Sequence, residues 1–164
     1  MSDRTTEKPE AEVSSWNRGL PEGWVEAKLP ELVYFAGRIG WRGLKAEEYT
    51  KSGPALLSVH NLNNGPSVDF TNVNCISVER YEESPEIKVR ENDSLLTKDG
   101  AGIGKTGFVE RLARESTVNS SLLLLRSLGA LFPKFLFYSL MGPRMQRLVK
   151  QHPRVFSPST HCFG

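Results

Sequence analysis

The sequence predicts a mixed α+β fold: a compact, strand-rich domain with short helices, followed by the start of a C-terminal helical segment. Three observations predict it. Short apolar runs bounded by polar residues lie at 94–97 and 122–125, too short for helices and suited to strands. Clusters of Gly, Asn and Pro punctuate the chain with turn chemistry. From Pro133 onward the apolar residues change to helical spacing.

The chain has 164 residues, one domain's worth and enough for a real core. Hydrophobic residues at 38% and charged residues at 24% are ordinary for a globular protein. No run approaches the roughly 20 apolar residues of a membrane-spanning helix, and the N-terminus lacks a basic-then-apolar signal. A cytoplasmic protein with no membrane partner is therefore expected. Cys75 and Cys162 are too few and too far apart for a disulfide framework. The net charge of +2 is unevenly spread. Residues 1–31 hold seven acids against four bases, and residues 32–115 hold twelve against eleven. Beyond Glu115 there is no acid, while Arg126, Lys134, Arg144, Arg147, Lys150 and Arg154 remain. That asymmetry suits a polyanionic partner, and it equally suits a helix with a solvated basic face.

Taken in order, residues 1–19 are polar and read as a disordered lead-in, with Trp16 as a side chain able to dock on the domain. Residues 24–29 alternate apolar and polar and predict a first strand. Pro30 suits the first position of a short helical turn through Phe35. Residues 36–53 carry Gly37, Gly40 and Gly43 among Arg38, Trp41, Arg42 and Lys45. Cations and an indole on a glycine-punctuated loop can reach into grooves and lie along phosphates. The same stretch also reads as a surface loop with Trp41 tucked into the core and its charges solvated.

Residues 55–60 predict a buried strand, and residues 61–65, Asn-Leu-Asn-Asn-Gly, a tight turn in which the asparagines are structural. His60 has no partner forming a triad or ligand set and reads as a satisfied core histidine. Residues 73–77 predict a strand that places Cys75 in or near the core. The acid-rich residues 79–93 lack the apolar surroundings that would raise a carboxyl pKa, so they read as a solvated helical turn. Arg111 and Arg114 either touch a polyanion or balance Glu110 and Glu115. The helical stretch from Pro133 is interrupted at Gly142-Pro143 and resumes with Met145, Leu148 and Val149 inward. Residues 152–164 hold two prolines and no heptad pattern, and His152, His161 and Cys162 fit no zinc spacing, so this is expected to be an irregular, frayed tail.

Between the strands at 94–97 and 122–125, Gly100, Gly102 and Gly104 alternate just before Lys105. Glycines there permit positive φ and close backbone approach. Successive amides beside a lysine predict an anion cradle. Gly104-Lys105-Thr106 matches the end of a nucleotide-binding P-loop, but the motif requires a glycine where Asp99 stands, and the residues after Lys105 favour a strand over a helix.

These residues also carry a family likeness. Asp93-Ser94-Leu95-Leu96-Thr97, then Gly100-Ala101-Gly102-Ile103-Gly104-Lys105, then Thr117-Val118-Asn119 before a leucine-rich strand, resembles the target recognition domain of type I restriction–modification specificity subunits. Leu20-Pro21-Glu22-Gly23-Trp24 is similar to that family's opening motif. The run Leu57-Ser58-Val59-His60-Asn61-Leu62 with Gly65 is similar to its central strand and turn, and Phe135-Leu136-Phe137-Tyr138-Ser139-Leu140 to its exit helix. The motifs occur in family order across residues 20–151.

The resemblance implies a recognition domain over 20–132, exit helices over 133–150 and a tail over 151–164, truncated to one domain of a two-domain subunit. It implies sequence-specific contact with double-stranded DNA by a non-catalytic subunit, directing methylation and cleavage by a methyltransferase subunit and a nuclease–translocase subunit. S-adenosylmethionine, ATP and magnesium are then expected on those partners, with no cofactor or metal in this chain. If one-domain chains pair, the self-dimer reads a symmetric site. The candidate DNA-binding residues are Arg38, Trp41, Arg42 and Lys45 for reading or positioning, and Lys98, Gly102, Gly104 and Lys105 for backbone contact. The competing expectations are a P-loop-like nucleotide-binding protein using Gly104-Lys105-Thr106, or a fragment that folds without assembling.

Overall fold

A computed structural model describes residues 21–38 and 44–151. In chain order they form α1 (Leu29–Leu32), β1 (Val33–Gly37), β2 (Thr50–Leu57), β3 (Asn74–Cys75), α2 (Val78–Glu82), β4 (Ser94–Thr97), β5 (Thr106–Phe108), β6 (Ser116–Val118), β7 (Leu122–Ser127), α3 (Pro133–Met141) and α4 (Pro143–Gln151). Single 3-10 turns lie at Ala46–Glu48, Val59–Asn61 and Pro85–Ile87. The expected lead-in, Trp16, Trp41, Arg42, His152, His161 and Cys162 lie outside the described residues.

β7 explains the architecture. Its four successive leucines alternate between two cores, because both faces of the strand are covered. Leu122 and Leu124 point with Ala36 and Leu95 into a cluster shared with Leu57 and Val118 of the smaller sheet. Leu123 and Leu125 point the other way with Val33 and Leu96, against Leu136, Leu140 and Val149 of the C-terminal helices. The layers therefore run small sheet, large sheet, helices, and the fold is mixed α+β. Each fully buried leucine contributes about 1.5–3 kcal/mol relative to exposure, so β7 is a large part of the stabilisation.

The large sheet has the order β1-β7-β4-β5 and is antiparallel throughout. The small sheet has the order β3-β2-β6, with β2 antiparallel to β3 and parallel to β6. Gly53, at φ +131°, lets β2 bulge beside β3: a Cβ there would stand 2.3 Å from the Ile76 carbonyl oxygen. Phe137 of α3 locks onto β5 through Phe108, with ring centroids 5.5 Å apart and planes at 42°. Gly142-Pro143 separates α3 from α4, as the sequence predicts.

Three local expectations are corrected. Residues 24–29 form no strand: residues 24–28 are irregular and Leu29 opens α1, with Trp24 70% and Val25 86% exposed. Alternation marks a strand only where a neighbouring strand receives it, and β7 pairs instead with Val33–Gly37, whose β-branched and aromatic side chains suit a sheet. The helical turn at Pro30 accordingly ends at Leu32. The strand expected over 55–60 begins earlier and stops at Leu57, and the 3-10 turn that follows leaves His60 exposed rather than in the core. The strands at Ser94–Thr97 and from Leu122, buried Cys75 and the helical turn at Val78–Glu82 appear where the sequence places them.

Candidate functional site

The glycine loop is the turn of the β4–β5 hairpin. Gly104 donates its amide to the Thr97 carbonyl at 2.9 Å, and Thr97 donates to the Lys105 carbonyl at 2.8 Å. Inside the loop, Ile103 donates to Gly100 O at 3.3 Å and Lys105 to Gly102 O at 2.9 Å. The amides of residues 103–105 thus close the turn itself, so the Gly104 N–H expected in an anion cradle is already spent on Thr97. Gly100 and Gly104 hold φ +82° and +88°, and a Cβ on Gly102 would lie 2.5 Å from Val59 Cγ2.

Lys105 leaves this turn into a strand, not a helix, so the P-loop geometry is absent. Its Nζ donates to the Val59 carbonyl at 3.1 Å, which holds the ammonium against the end of the small sheet. Asn64, at φ +59°, pairs with Thr106 both ways: its amide donates to Thr106 O and its Oδ1 accepts from Thr106 N, each at 3.0 Å. On the other side α4 closes in. Gln146 Nε2 donates to the Gly104 carbonyl at 2.8 Å, and Lys150 Cε lies 3.4 Å from where a Gly104 Cβ would stand. Between these parts is an open cavity of about 260 Å³ lined by Asn64, residues 101–105, Gln146 and Lys150. Two lysines and no carboxylate line it.

The other candidates fall elsewhere. Lys98 is largely buried, its Nζ 2.9 Å from Asp99 Oδ2. Lys45 is exposed just before the 3-10 turn at Ala46–Glu48, with its amide on Glu48 Oε2 at 2.8 Å. Arg38 is inside the fold, 2% exposed, with Nε donating to Val118 O at 3.2 Å and a terminal nitrogen to Thr117 Oγ1 at 3.3 Å. Burial, and secondarily the Arg80 charge, lowers its pKa from the usual arginine value. That is the placement of a side chain joining strands, not of one reaching outward. Arg114 donates to Gly53 O, and Glu110 pairs with Lys134 at 2.8 Å rather than with its neighbour Arg111. The structure therefore brings together Gly102, Gly104 and Lys105, keeps Lys98 at the root of the same loop, and leaves Lys45 on a separate element.

Sequence reasoning passed over Asn64 as a lining group and Gln146 altogether, and it counted Lys150 only among the C-terminal cations, not beside the glycine loop. The last two stand four residues apart, hence on one helical face. Nothing local says that this face meets the glycine loop. Among the described residues, no group of three or more His, Cys, Asp or Glu is placed to hold a metal, and no helix is long and apolar enough to cross a membrane.

The chain is 26% identical over 149 residues to the specificity subunit of the type I restriction enzyme EcoBI of Escherichia coli, covering 91% of this chain. The resemblance to a type I specificity-subunit domain is borne out. A solved chain from a study of complex assembly and conformational transition in a type I R-M system shares the fold, with a TM-score of 0.59 over 82% of this chain at 18% identity. No family model matches. Both matches are partial in one direction: the chain spans about a third of each matched protein, 31% and 32% of their lengths.

Proposed function

We propose that this chain is a sequence-specific DNA recognition module of a type I restriction–modification complex, non-catalytic itself, which directs methylation and cleavage by partner subunits. The observation that carries the reading is the likeness to a specificity subunit across 149 residues, on a fold of the same kind. The glycine-loop hairpin supports it, since two lysines and no carboxylate line the open cavity beside it. Lys105 serves backbone positioning, with Lys98 paired to Asp99 at the root of its loop, and with Lys45 and, outside the described residues, Trp41 and Arg42 as readers of the target. S-adenosylmethionine, ATP and magnesium belong to the partner subunits in this reading, and the complex works in the cytoplasm.

The test is selection of duplexes from a random pool by the 164-residue chain with a modification subunit, followed by titration against salt. About four cation–phosphate contacts predict a slope of log affinity against log salt of about −3 to −4. Replacing Lys105 by Ala weakens all sequences alike, whereas replacing Arg42 relaxes base preference. A pool that emerges unenriched, or affinity indifferent to salt, defeats the proposal.

A further inference from the structure

We infer that the cavity between the glycine loop and α4 is a seat for one phosphodiester group of the DNA backbone, and that Lys150 is its second cation. This rests on the DNA-recognition reading and adds to it a ligand group and two residues of the exit helix. The cavity, at about 260 Å³, is large enough for a phosphate and its water shell and too open to be a core void. Its lining is one-signed: Lys105 on one wall and Lys150 on the other, with Asn64 and Gln146 as neutral polar groups. Asn64 accepts from Thr106 N through its Oδ1, which leaves its Nδ2 as the donor end of the side chain. Gln146 has its Nε2 engaged on Gly104 O and on Leu140 O at 2.9 Å, so it fixes the wall and does not itself bind. Gly104 is a glycine for the same reason: any Cβ would stand 2.5 Å from Gln146 Oε1 and fill the approach of the two walls.

The arrangement suits a tetrahedral oxyanion. Lys150 and the N–H bonds of Lys105 not spent on the Val59 carbonyl can supply charge-assisted hydrogen bonds, and no carboxylate lines the cavity to compete for them. A free phosphate or nucleotide presents the same chemistry as a backbone phosphodiester, so the experiment has to separate the sources. The backbone is favoured because a strand end and a surface helix border the cavity, leaving it open on its outer side.

The experiment compares the full chain, combined with a modification subunit, with its Lys150→Gln, Lys150→Arg and Arg147→Gln variants in duplex binding across salt. Arg147 is an exposed cation on the same helix that does not line the cavity. Lys150→Gln is expected to lower affinity about fivefold near 0.15 M salt and to make the salt slope shallower by about one, while base preference is kept. Lys150→Arg retains the slope, and Arg147→Gln leaves affinity within about twofold. Equal losses in Lys150→Gln and Arg147→Gln indicate diffuse charge and overturn the seat, as does an unchanged slope in Lys150→Gln. In a parallel arm, inorganic phosphate is titrated while the Gly104 amide resonance is followed by NMR. Phosphate that saturates the site below millimolar concentration without being displaced by duplex assigns it to a small anion, and this overturns the backbone source. Absence of duplex binding by the unaltered chain defeats the DNA-recognition reading itself, a result distinguishable from selective insensitivity to Lys150.

Discussion

Gln146 joins helix to loop at Gly104. One side-chain amide nitrogen donates to the Gly104 carbonyl at 2.8 Å and to the Leu140 carbonyl at 2.9 Å, so the end of α3, the face of α4 and the β4–β5 turn share a single donor group. The candidate site is therefore set by the packing of the C-terminal helices on the large sheet as much as by the loop's own residues.

Gly104→Ala is expected to cost about 2 kcal/mol of stability. A φ of +88° disfavours an L-residue by about 1–2 kcal/mol. The new methyl would also press on Gln146 Oε1 from 2.5 Å. Gly100→Ala is the control, because φ is +82° there and nothing lies within 4 Å of the added carbon. Urea unfolding of both variants separates backbone strain from the clash: equal losses would remove the steric part of the argument.

Arg38→Met is expected to lower stability by about 1–3 kcal/mol while leaving base preference unchanged. The guanidinium bridges β1 to β6 through Val118 O and Thr117 Oγ1, and its removal leaves those buried acceptors without their donor. Denaturation midpoints and duplex selection with the same variant decide it. A shift in base preference at full stability would return Arg38 to the reading surface.

Much of the fold was legible, and the reason lies in particular runs of residues. The leucines of β7 and the Ser94–Thr97 strand are short, unbroken and bounded by polar residues, which only a strand covered on both faces explains. Gly142-Pro143 can end one helix and start another without reference to anything else. What failed depended on partners distant in sequence. Residues 24–29 alternate like a strand, yet no strand among the described residues pairs with them. Arg38 looks like a loop cation until β6, some eighty residues later, closes over it. The cavity joins residues 64, 105 and 150, and the chain's local chemistry carries no signal of that meeting.

Asn61→Ala is expected to destabilise by about 3 kcal/mol, which distinguishes a turn-holding asparagine from one that reads adenine. Its Oδ1 accepts from the Ser58 amide at 2.9 Å, and its Nδ2 donates to Asp69 O at 3.0 Å and Asn72 O at 2.9 Å. At roughly 1 kcal/mol per bond the loss follows from these three alone. Thermal unfolding measures it, and a stable variant with altered target choice would contradict the structural role.

Two ion pairs of similar length should behave oppositely. Arg126 meets Asp93 in a bidentate pair, Nε to Oδ1 at 2.7 Å and a terminal nitrogen to Oδ2 at 2.8 Å, and the carboxylate is completely buried. The hydrogen bond to Asp93 raises the Arg126 pKa above its usual value, so the guanidinium stays charged, and contributes its stabilisation, throughout the range in which proteins are studied. On the Arg126 side that stabilisation is fully present below the ordinary arginine value and is lost as pH rises through the raised one. Arg126→Met leaves a buried charge without its partner, for an expected loss of about 3 kcal/mol or more. Lys134–Glu110, at 2.8 Å with both side chains 59% exposed, is screened by solvent, and Lys134→Met should leave the unfolding midpoint where it is. Parallel urea titrations at low and high salt test the contrast: the Arg126 loss should persist in salt, and equal effects from the two substitutions would mean that burial does not govern these pairs.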